Sequence, residues 1–327
     1  MESPRPAGVS VVIPAYNEAG AIVSTIQAVE QAFAAAGPDY EILAVDDGST
    51  DGTYDLARST RARVLRHGTN IGYGNAIMTG VRHARHPLIA IADADGSYPL
   101  AELPSMVEEL RTRGLDMLVG ARRGTVTLGG PVKRLARRAF RFLSEYTVGR
   151  TIPDINSGLR VMRRDVVMGF APYLGGGFSF TTTITILSML SWLFVDYRDI
   201  EYSQRVGKSH VHHVRDTLRA AQILVRTILI FNPIKIYLLL VAAVLGLAVL
   251  VPALCVLLPA WSGAISLAGL LVAAAILVLS LGFLAEQRAA AQGNSARYRR
   301  EIEDPEAPAT PERGPGRNHG GASDDVT

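Results

Sequence analysis

From Ile236 to Ala285 the chain runs for 50 positions without a charged residue. One membrane span needs about 20 apolar residues, so this run is too long for one helix and long enough for two. Pro259-Ala260-Trp261-Ser262-Gly263 divides it with turn-forming residues, and Trp261 suits a headgroup belt. The expectation is a two-helix transmembrane hairpin within 234–285, with spans near 236–258 and 264–285. A buried hairpin in a soluble protein is the competing reading, and the length of the run argues against it. Arg219, Arg226 and Lys235 precede the first span, while Arg288, Arg297, Arg299 and Arg300 follow the second. Basic flanks stay on the cytoplasmic side, which predicts a two-span membrane protein with both termini in the cytoplasm. Gly246, Gly269 and alanine-rich faces permit helix contacts, and so a homo-oligomer.

Outside the hairpin the totals are restrictive. The formal net charge is +3 over 327 residues, too small for a polyanion-binding surface, so nucleic acid is not an expected partner. The single cysteine, Cys255, allows no intrachain disulfide and no cysteine metal site. Residues 1–8 lack an apolar signal core and read as a short extension.

From Val9 the pattern alternates. Val9-Ser10-Val11-Val12-Ile13 reads as a strand, followed by a helical pattern to about Ala36 and a stop at Gly37-Pro38. Tyr40 to Val45 is a second strand, with a helix to about Thr60 and a short strand at Arg63-Val64-Leu65. Asn70-Ile71-Gly72-Tyr73-Gly74-Asn75-Ala76 opens another helix, and Leu88-Ile89-Ala90-Ile91-Ala92 is a fully apolar strand. Strands and helices in this alternation imply right-handed crossovers and a mostly parallel sheet. After Asp116-Met117-Leu118-Val119-Gly120 the alternation becomes irregular. Before the hairpin, 213–233 carries Arg215, Asp216, Arg219, Gln222 and Arg226 near helical spacing, an amphipathic interfacial helix. Residues 286–327 are charged and rich in Pro and Gly, and are expected to be disordered.

Three loops follow three of these strands, at 14–18, 46–53 and 93–99. In a doubly wound sheet such loops share the carboxyl edge, where ligands bind. Glycines let backbone amides approach phosphates. Tyr16 can stack on a base or simply pack, and Asp46 or Asp47 can accept from a base N–H or a ribose hydroxyl. Asp93 and Asp95 stand one residue apart, so both can project from one face of the strand's end. Paired hard oxygen ligands with open positions suit Mg²⁺ or Mn²⁺ held largely through substrate phosphates. Alone, an Asp-x-Asp is as readily an acidic turn that satisfies loop amides. Three polar loops in one register shift the balance toward a site.

Val12-Ile13-Pro14-Ala15-Tyr16-Asn17-Glu18, Val45-Asp46-Asp47-Gly48-Ser49-Thr50-Asp51-Gly52-Thr53 and Asp93-Ala94-Asp95-Gly96 together resemble the signatures of family 2 glycosyltransferases with the GT-A fold. The resemblance extends over roughly 9–285 and is closer to the polyprenyl-phosphate transferases, which include dolichol-phosphate mannose synthases. It implies an α/β, Rossmann-like catalytic domain over 9–212 and an inverting transfer of one sugar from a UDP- or GDP-sugar to a polyprenyl phosphate of undecaprenyl or dolichyl type. Such chemistry serves cell-envelope glycosylation. The match places Pro14, Ala15, Tyr16, Glu18, Asp46, Asp47, Gly48 and Ala94 around the donor, and Asp93 and Asp95 at the metal. Ser97 stands where the subfamily often has Gln, as a third ligand or beside a water in its place.

Gly120-Ala121-Arg122, Asp154-Ile155-Asn156-Ser157-Gly158-Leu159-Arg160 and Arg205-Val206-Gly207-Lys208-Ser209-His210 resemble three further elements of the subfamily, with Ala121, Leu159 and His210 as departures. By that match Arg122 and Arg205 join Asp95 in catalysis, while Ser157, Arg160 and Lys208 hold the acceptor phosphate. Guanidinium forks bind phosphate oxygens bidentately, although any one arginine can equally solvate a face near anionic lipid. His210, His212 and His213 lack the carboxylate or cysteine companions of a metal cluster and read as polar surface. A phosphate monoester has its second pKa near ~6 and is mostly dianionic at neutral pH, so it needs aiming rather than a general base. Asp154 is open to either a base or a turn role, and no Q-x-x-R-W element of polysaccharide synthases is present. A hydroxyl acceptor or a non-catalytic sugar-nucleotide anchor are the competing functions.

Overall fold

The computed structural model describes residues 8–36, 39–123, 131–174, 176–177, 180–202, 233–257 and 264–303. In chain order the elements are β1 (Val9–Ala15), α1 (Ile22–Ala36), β2 (Tyr40–Asp46), α2 (Thr53–Arg58), β3 (Arg63–Arg66), α3 (Tyr73–His83) and β4 (Leu88–Ile91). Then come α4 (Leu103–Thr112), β5 (Met117–Arg122), α5 (Pro131–Val148), β6 (Arg160–Arg163), α6 (Arg164–Phe170), α7 (Phe180–Leu190) and β7 (Val195–Ile200). Two long helices, α8 (Pro233–Leu257) and α9 (Ala264–Glu303), follow.

The strands form one sheet in the order β3-β2-β1-β4-β6-β5-β7. β1 lies between β2 and β4 and runs parallel to both, with Ala15 beside Asp46 and Val12 beside Ile91. The carboxyl ends of β1, β2 and β4 therefore share one edge, as the alternating pattern predicts. β6 runs antiparallel to β4 and β5, so the sheet is mostly parallel rather than wholly so.

Every residue of β1 is buried, because helices cover both faces of the sheet. Alternation along the strand divides its side chains between two cores. Val9, Val11 and Ile13 meet Ile22, Ile26, Val29 and Phe33, which recur at helical spacing down α1. Val12 points the other way, with Leu43, Ile89 and Ile91, onto Ile77 and Val81 of α3 and Phe180 and Ile184 of α7. Full burial of each such side chain contributes about 1.5–3 kcal/mol, so the sheet edge rests on a rigid slab. α3 approaches β1 closely at Gly80, where a Cβ would lie 2.4 Å from Val12 Cγ1.

α8 and α9 are each long and apolar enough to cross a membrane. They pack antiparallel: a Cβ at Gly282, late in the apolar part of α9, would lie 2.7 Å from Tyr237 Cβ at the start of α8. Leu240, Leu247, Val249, Ile276, Leu277 and Phe283 are exposed on their outer faces, an arrangement suited to lipid. The interfacial helix expected over 213–233 lies outside the described residues except for Pro233, which opens α8. The apolar span of α9 runs to Ala285, where the second span is expected to end. α9 continues through the polar stretch to Glu303, because Ala289-Ala290-Ala291 and the flanking Glu, Gln and Arg residues are strong helix formers.

The Gly80 contact yields a direct test. Gly80→Ala overpacks the α3–β1 contact and lowers stability by about 1–3 kcal/mol. Gly20→Ala, at a position with nothing within 4 Å of the added Cβ, leaves it unchanged. Thermal unfolding of the two full-length variants in detergent checks the difference.

Candidate active site

Two of the three edge loops are laced together by short polar side chains. Ser49 Oγ accepts from the Asn17 amide at 2.9 Å, and Thr53 Oγ1 accepts from the Glu18 amide at 2.9 Å. Asn17 Oδ1 in turn accepts from the Thr50 amide at 2.9 Å. Asn17 adopts φ 55°, a left-handed conformation that Asn tolerates better than most residues. Burial pushes the Asp51 carboxyl up, but the bonds it accepts from Thr53 and the Ala19 amide outweigh this and hold it below its ordinary value. Pro14 and Ala15 are the buried last residues of β1, while Tyr16 and Glu18 are half-buried beyond its end. The strand thus delivers these four to the edge where donor contacts are expected.

Asp46 and Asp47 are both buried, with distinct partners. Asp46 Oδ1 accepts from the Ser49 amide at 3.2 Å, and its Oδ2 lies 3.2 Å from Arg66 Nε in an ion pair without hydrogen-bond alignment. The Arg66 guanidinium covers the Tyr54 ring, 4.4 Å from its centre. Asp47 is a junction. Its Oδ1 lies 2.7 Å from His67 Nδ1 and accepts from the Ile71 amide at 3.0 Å, while Oδ2 accepts from the Gly72 amide at 2.8 Å. His67 Nε2 lies 2.9 Å from Thr79 Oγ1 on α3. Gly48 permits this approach: at φ 74°, a Cβ there would lie 2.6 Å from the Thr69 carbonyl carbon. The structure therefore puts Asp47 to work positioning the start of α3 behind the loop that follows β2.

Tyr73, in the first turn of α3, donates to Asp93 Oδ1 at 2.8 Å. Burial, then the neighbouring Asp93 carboxylate, pushes the Tyr73 hydroxyl well above its ordinary pKa. It therefore stays protonated at neutral pH and can only donate to the carboxylate. Gly158 is the opposite wall, where a Cβ would lie 2.4 Å from Asp93 Oδ2. Tyr98 binds the same turn, its hydroxyl accepting from the Gly158 amide at 2.8 Å. Its own pKa is pushed up to about 12 by burial and by Asp93. Asp95 Oδ1 accepts from the Ser97 amide at 3.1 Å and from Ser97 Oγ at 2.5 Å. Gly96, at φ 69°, makes the tight turn between them. Ala94 is fixed from behind, its carbonyl accepting from Thr25 Oγ1 of α1 at 3.2 Å.

The acceptor-side residues separate in the structure. Arg122, at the end of β5, is gripped bidentately by Asp154, with Nε to Oδ2 at 2.6 Å and Nη2 to Oδ1 at 3.0 Å. Burial lowers the Arg122 pKa, but the hydrogen bonds to Asp154 outweigh it and hold the guanidinium above its ordinary value. Arg160 is fully buried. Its Nη2 donates to the Ser157 carbonyl at 2.5 Å, and its Nη1 to the Thr181 carbonyl and Thr185 Oγ1, each at 3.2 Å. Burial lowers its pKa. Arg160, expected from its motif at the acceptor phosphate, supports the Ser157–Gly158 turn from behind, with its side chain wholly buried. Ser157 Oγ is buried near the Tyr98 hydroxyl without a well-formed hydrogen bond. Arg205 and Lys208 lie outside the described residues.

The chemistry of this donor set fits a hard divalent cation. Among the described residues no group of three or more His, Cys, Asp or Glu side chains is placed to hold a metal. Two carboxylates beside a hydroxyl supply part of an oxygen shell and leave the rest to phosphates and water, the usual pattern for Mg²⁺. Tyr73, His67 and Gly158 escaped the sequence reading of the site. The N-I-G-Y-G run flagged a helix start, but nothing in it named Asp93 as the partner of Tyr73.

Residues 10–169 match the model of glycosyl transferase family 2. The undecaprenyl-phosphate 4-deoxy-4-formamido-L-arabinose transferase of Enterobacter sp. (strain 638) is 34% identical over 168 residues, which are 49% of this chain and 50% of that protein. Glycosyltransferase AglJ of Haloferax volcanii is 32% identical over 170 residues, 50% of this chain and 52% of its own. The chain thus spans about half the length of the curated relatives it matches. Among solved structures, glucosyl-3-phosphoglycerate synthase of Mycobacterium tuberculosis in complex with Mn²⁺, UDP-glucose and phosphoglyceric acid superposes with a TM-score of 0.56 at 20% identity. That match covers 68% of this chain and 79% of the other, and establishes the shared GT-A fold.

The Arg122–Asp154 pair is open to measurement. Asp154→Ala leaves a partly buried guanidinium unpaired and lowers stability by about 2–3 kcal/mol, less than a fully buried pair because both side chains keep some solvent. Denaturant titration beside Arg123→Ala, whose partner Asp199 is mostly exposed, checks the contrast.

Proposed function

We propose that this chain, which carries a glycosyl transferase family 2 domain over residues 10–169, transfers one sugar from a nucleoside-diphosphate sugar to a polyprenyl phosphate with inversion at the anomeric carbon. The observation that carries the reading is the Asp93–Asp95 pair at the shared edge of β1, β2 and β4, with Asp93 held by Tyr73. Relatives named for undecaprenyl phosphate support the acceptor, and the two apolar helices account for how the domain meets a lipid.

Asp93 and Asp95 would hold Mg²⁺ or Mn²⁺, with Ser97 aligning Asp95 through its hydroxyl. The ion, when bound, neutralises charge on the donor diphosphate. The loops at 14–18 and 46–53 receive the nucleoside, with Tyr16, Glu18 and Asp46 at the edge and Asp47 positioning them from behind. A phosphate oxygen of the lipid forms the new bond to the anomeric carbon as the bond to the diphosphate oxygen breaks, and the nucleoside diphosphate leaves with that electron pair. No general base is required, since the attacking phosphate is already anionic. Asp154 is committed to Arg122, so it orients that guanidinium toward the developing charge instead of taking a proton. Arg205, Lys208 and Ser157 complete the acceptor contacts. The basic residues that flank the two ends of the hairpin support cytoplasmic termini.

Membranes containing the chain are incubated with a panel of labelled UDP- and GDP-sugars and Mn²⁺ or Mg²⁺. Label enters an acid-labile lipid fraction with one donor; label found only in polymer or stable glycolipid assigns the enzyme a hydroxyl acceptor instead. Asp93→Asn and Asp95→Asn abolish that transfer. Tyr73→Phe acts more narrowly. Loss of a bond that orients a ligand typically weakens metal affinity or activity about 10–100-fold, so half-saturation moves to higher Mn²⁺ while the rate at saturating metal stays near that of the parent.

A further inference from the structure

The first turn of α8 is fastened to the catalytic domain. Lys235 Nζ donates to the carbonyls of Tyr146 and Thr147 at 2.9 and 2.8 Å, which caps the last turn of α5. The same ammonium lies 5.6 Å from the centre of the Tyr146 ring. One residue on, Ile236 joins Phe140 and Leu143 of α5 and Leu190 of α7 around the buried Ile186. The root of the apolar helix is thus clasped by the carboxyl-terminal ends of two helices of the domain.

Large side chains stand exposed around that root. Phe142 is 60% exposed and stacks on Tyr146 at 6.0 Å. Trp192, two residues beyond Leu190, is 84% exposed, and Phe194 is 52% exposed. The turn that carries them is ordered. Trp192 and Leu193 donate backbone bonds to Met189 and Ser188 at 3.2 and 3.0 Å, Phe194 N donates to Asp116 Oδ2 at 2.8 Å, and Arg150 Nη2 donates to the Val195 carbonyl at 3.3 Å. Trp192 has φ 59°, a genuine outlier for a bulky residue. Backbone strain that holds an indole in solvent points to a use for that indole. Along α5, Arg134, Arg138 and Arg141 recur at spacings of four and three and are exposed, with Arg141 3.9 Å from Glu145.

We propose that Phe142, Tyr146, Trp192 and Phe194, with the arginine stripe of α5, form a collar seated in the headgroup layer of the bilayer around the root of α8. The argument is one of depth. If α8 enters lipid at its first turn, whatever is fastened to that turn lies at the membrane–water boundary. Trp and Tyr rings with polar tips, Phe rings dipping to the acyl boundary beneath them, and arginines facing lipid phosphates are the side chains that boundary favours. The collar fixes how far the domain sits from the bilayer, and so how a lipid phosphate is presented to the sheet edge. It rests on reading α8 and α9 as spans.

The chain has two tryptophans, Trp192 and Trp261, so two single-tryptophan proteins separate the collar from the spans. Full-length W261F and W192F are reconstituted in phospholipid vesicles with bromines near the headgroup or deep in the acyl chains. In W261F, Trp192 loses roughly half its emission to shallow bromines and less to deep ones, because an interfacial indole lies at headgroup level. In W192F, Trp261 between the spans is quenched as well. Unquenched Trp192 beside quenched Trp261 overturns the collar and leaves the spans standing. Absence of quenching in both proteins overturns the membrane reading along with it.

Discussion

Asp47 ties the site together. One buried carboxylate takes an imidazole and two backbone amides, and these partners come from the end of β3 and the start of α3. A buried carboxylate is costly unless its oxygens are satisfied, so the loop after β2 has one low-energy arrangement. That arrangement fixes Gly72, and with it the first turn of α3, from which Tyr73 reaches Asp93. The loop after β2 and the acidic pair are therefore mechanically one piece, although the sequence separates Asp47 from Asp93 by more than forty residues. Rigid placement of this kind is what a site needs when its work is to hold and aim charged groups.

The end of β5 and the turn before β6 are organised by paired and buried cations. Asp154 holds Arg122 in a planar fork, and Arg160 donates from both terminal nitrogens to carbonyls and a threonine hydroxyl behind the Ser157–Gly158 turn, with its Nε buried and without a hydrogen bond. Neither is a loosely waving surface charge. Gly158 sits against Asp93, so the turn braced by Arg160 also packs against the acidic pair's first carboxylate. Removing the side chain at 158 is what lets backbone and carboxylate share that space.

Much of the fold was legible because parallel strands buried on both faces read as apolar runs, and β1, β2 and β4 do so clearly. The Asp-x-Asp and the two polar loops marked the shared sheet edge, and the charge-free run marked the two long apolar helices. β6 was not legible: Arg160-Val161-Met162-Arg163 is four residues long and bounded by arginines, so its antiparallel place in the sheet comes from tertiary pairing alone. The depth of Arg160 was hidden for the same reason, since a motif arginine looks identical whether it meets a phosphate or a carbonyl. Tyr73 and His67 act through partners twenty residues away, a distance that local pattern cannot bridge. Beyond the apolar span, α9 carries on as helix to Glu303 because alanine-rich helix propensity acts on a stretch whose polarity alone reads as irregular.

The claim on which everything else rests is that Asp93 and Asp95 grip a divalent ion together with the donor's diphosphate. Pulsed electron paramagnetic resonance on the full-length chain with Mn²⁺ and nucleoside diphosphate reads this contact directly. A phosphorus-31 hyperfine coupling to the manganese, present in the parent and absent in Asp93→Asn, is the predicted result. Nucleoside diphosphate bound equally tightly with and without metal, and no coupling in the parent, would contradict it.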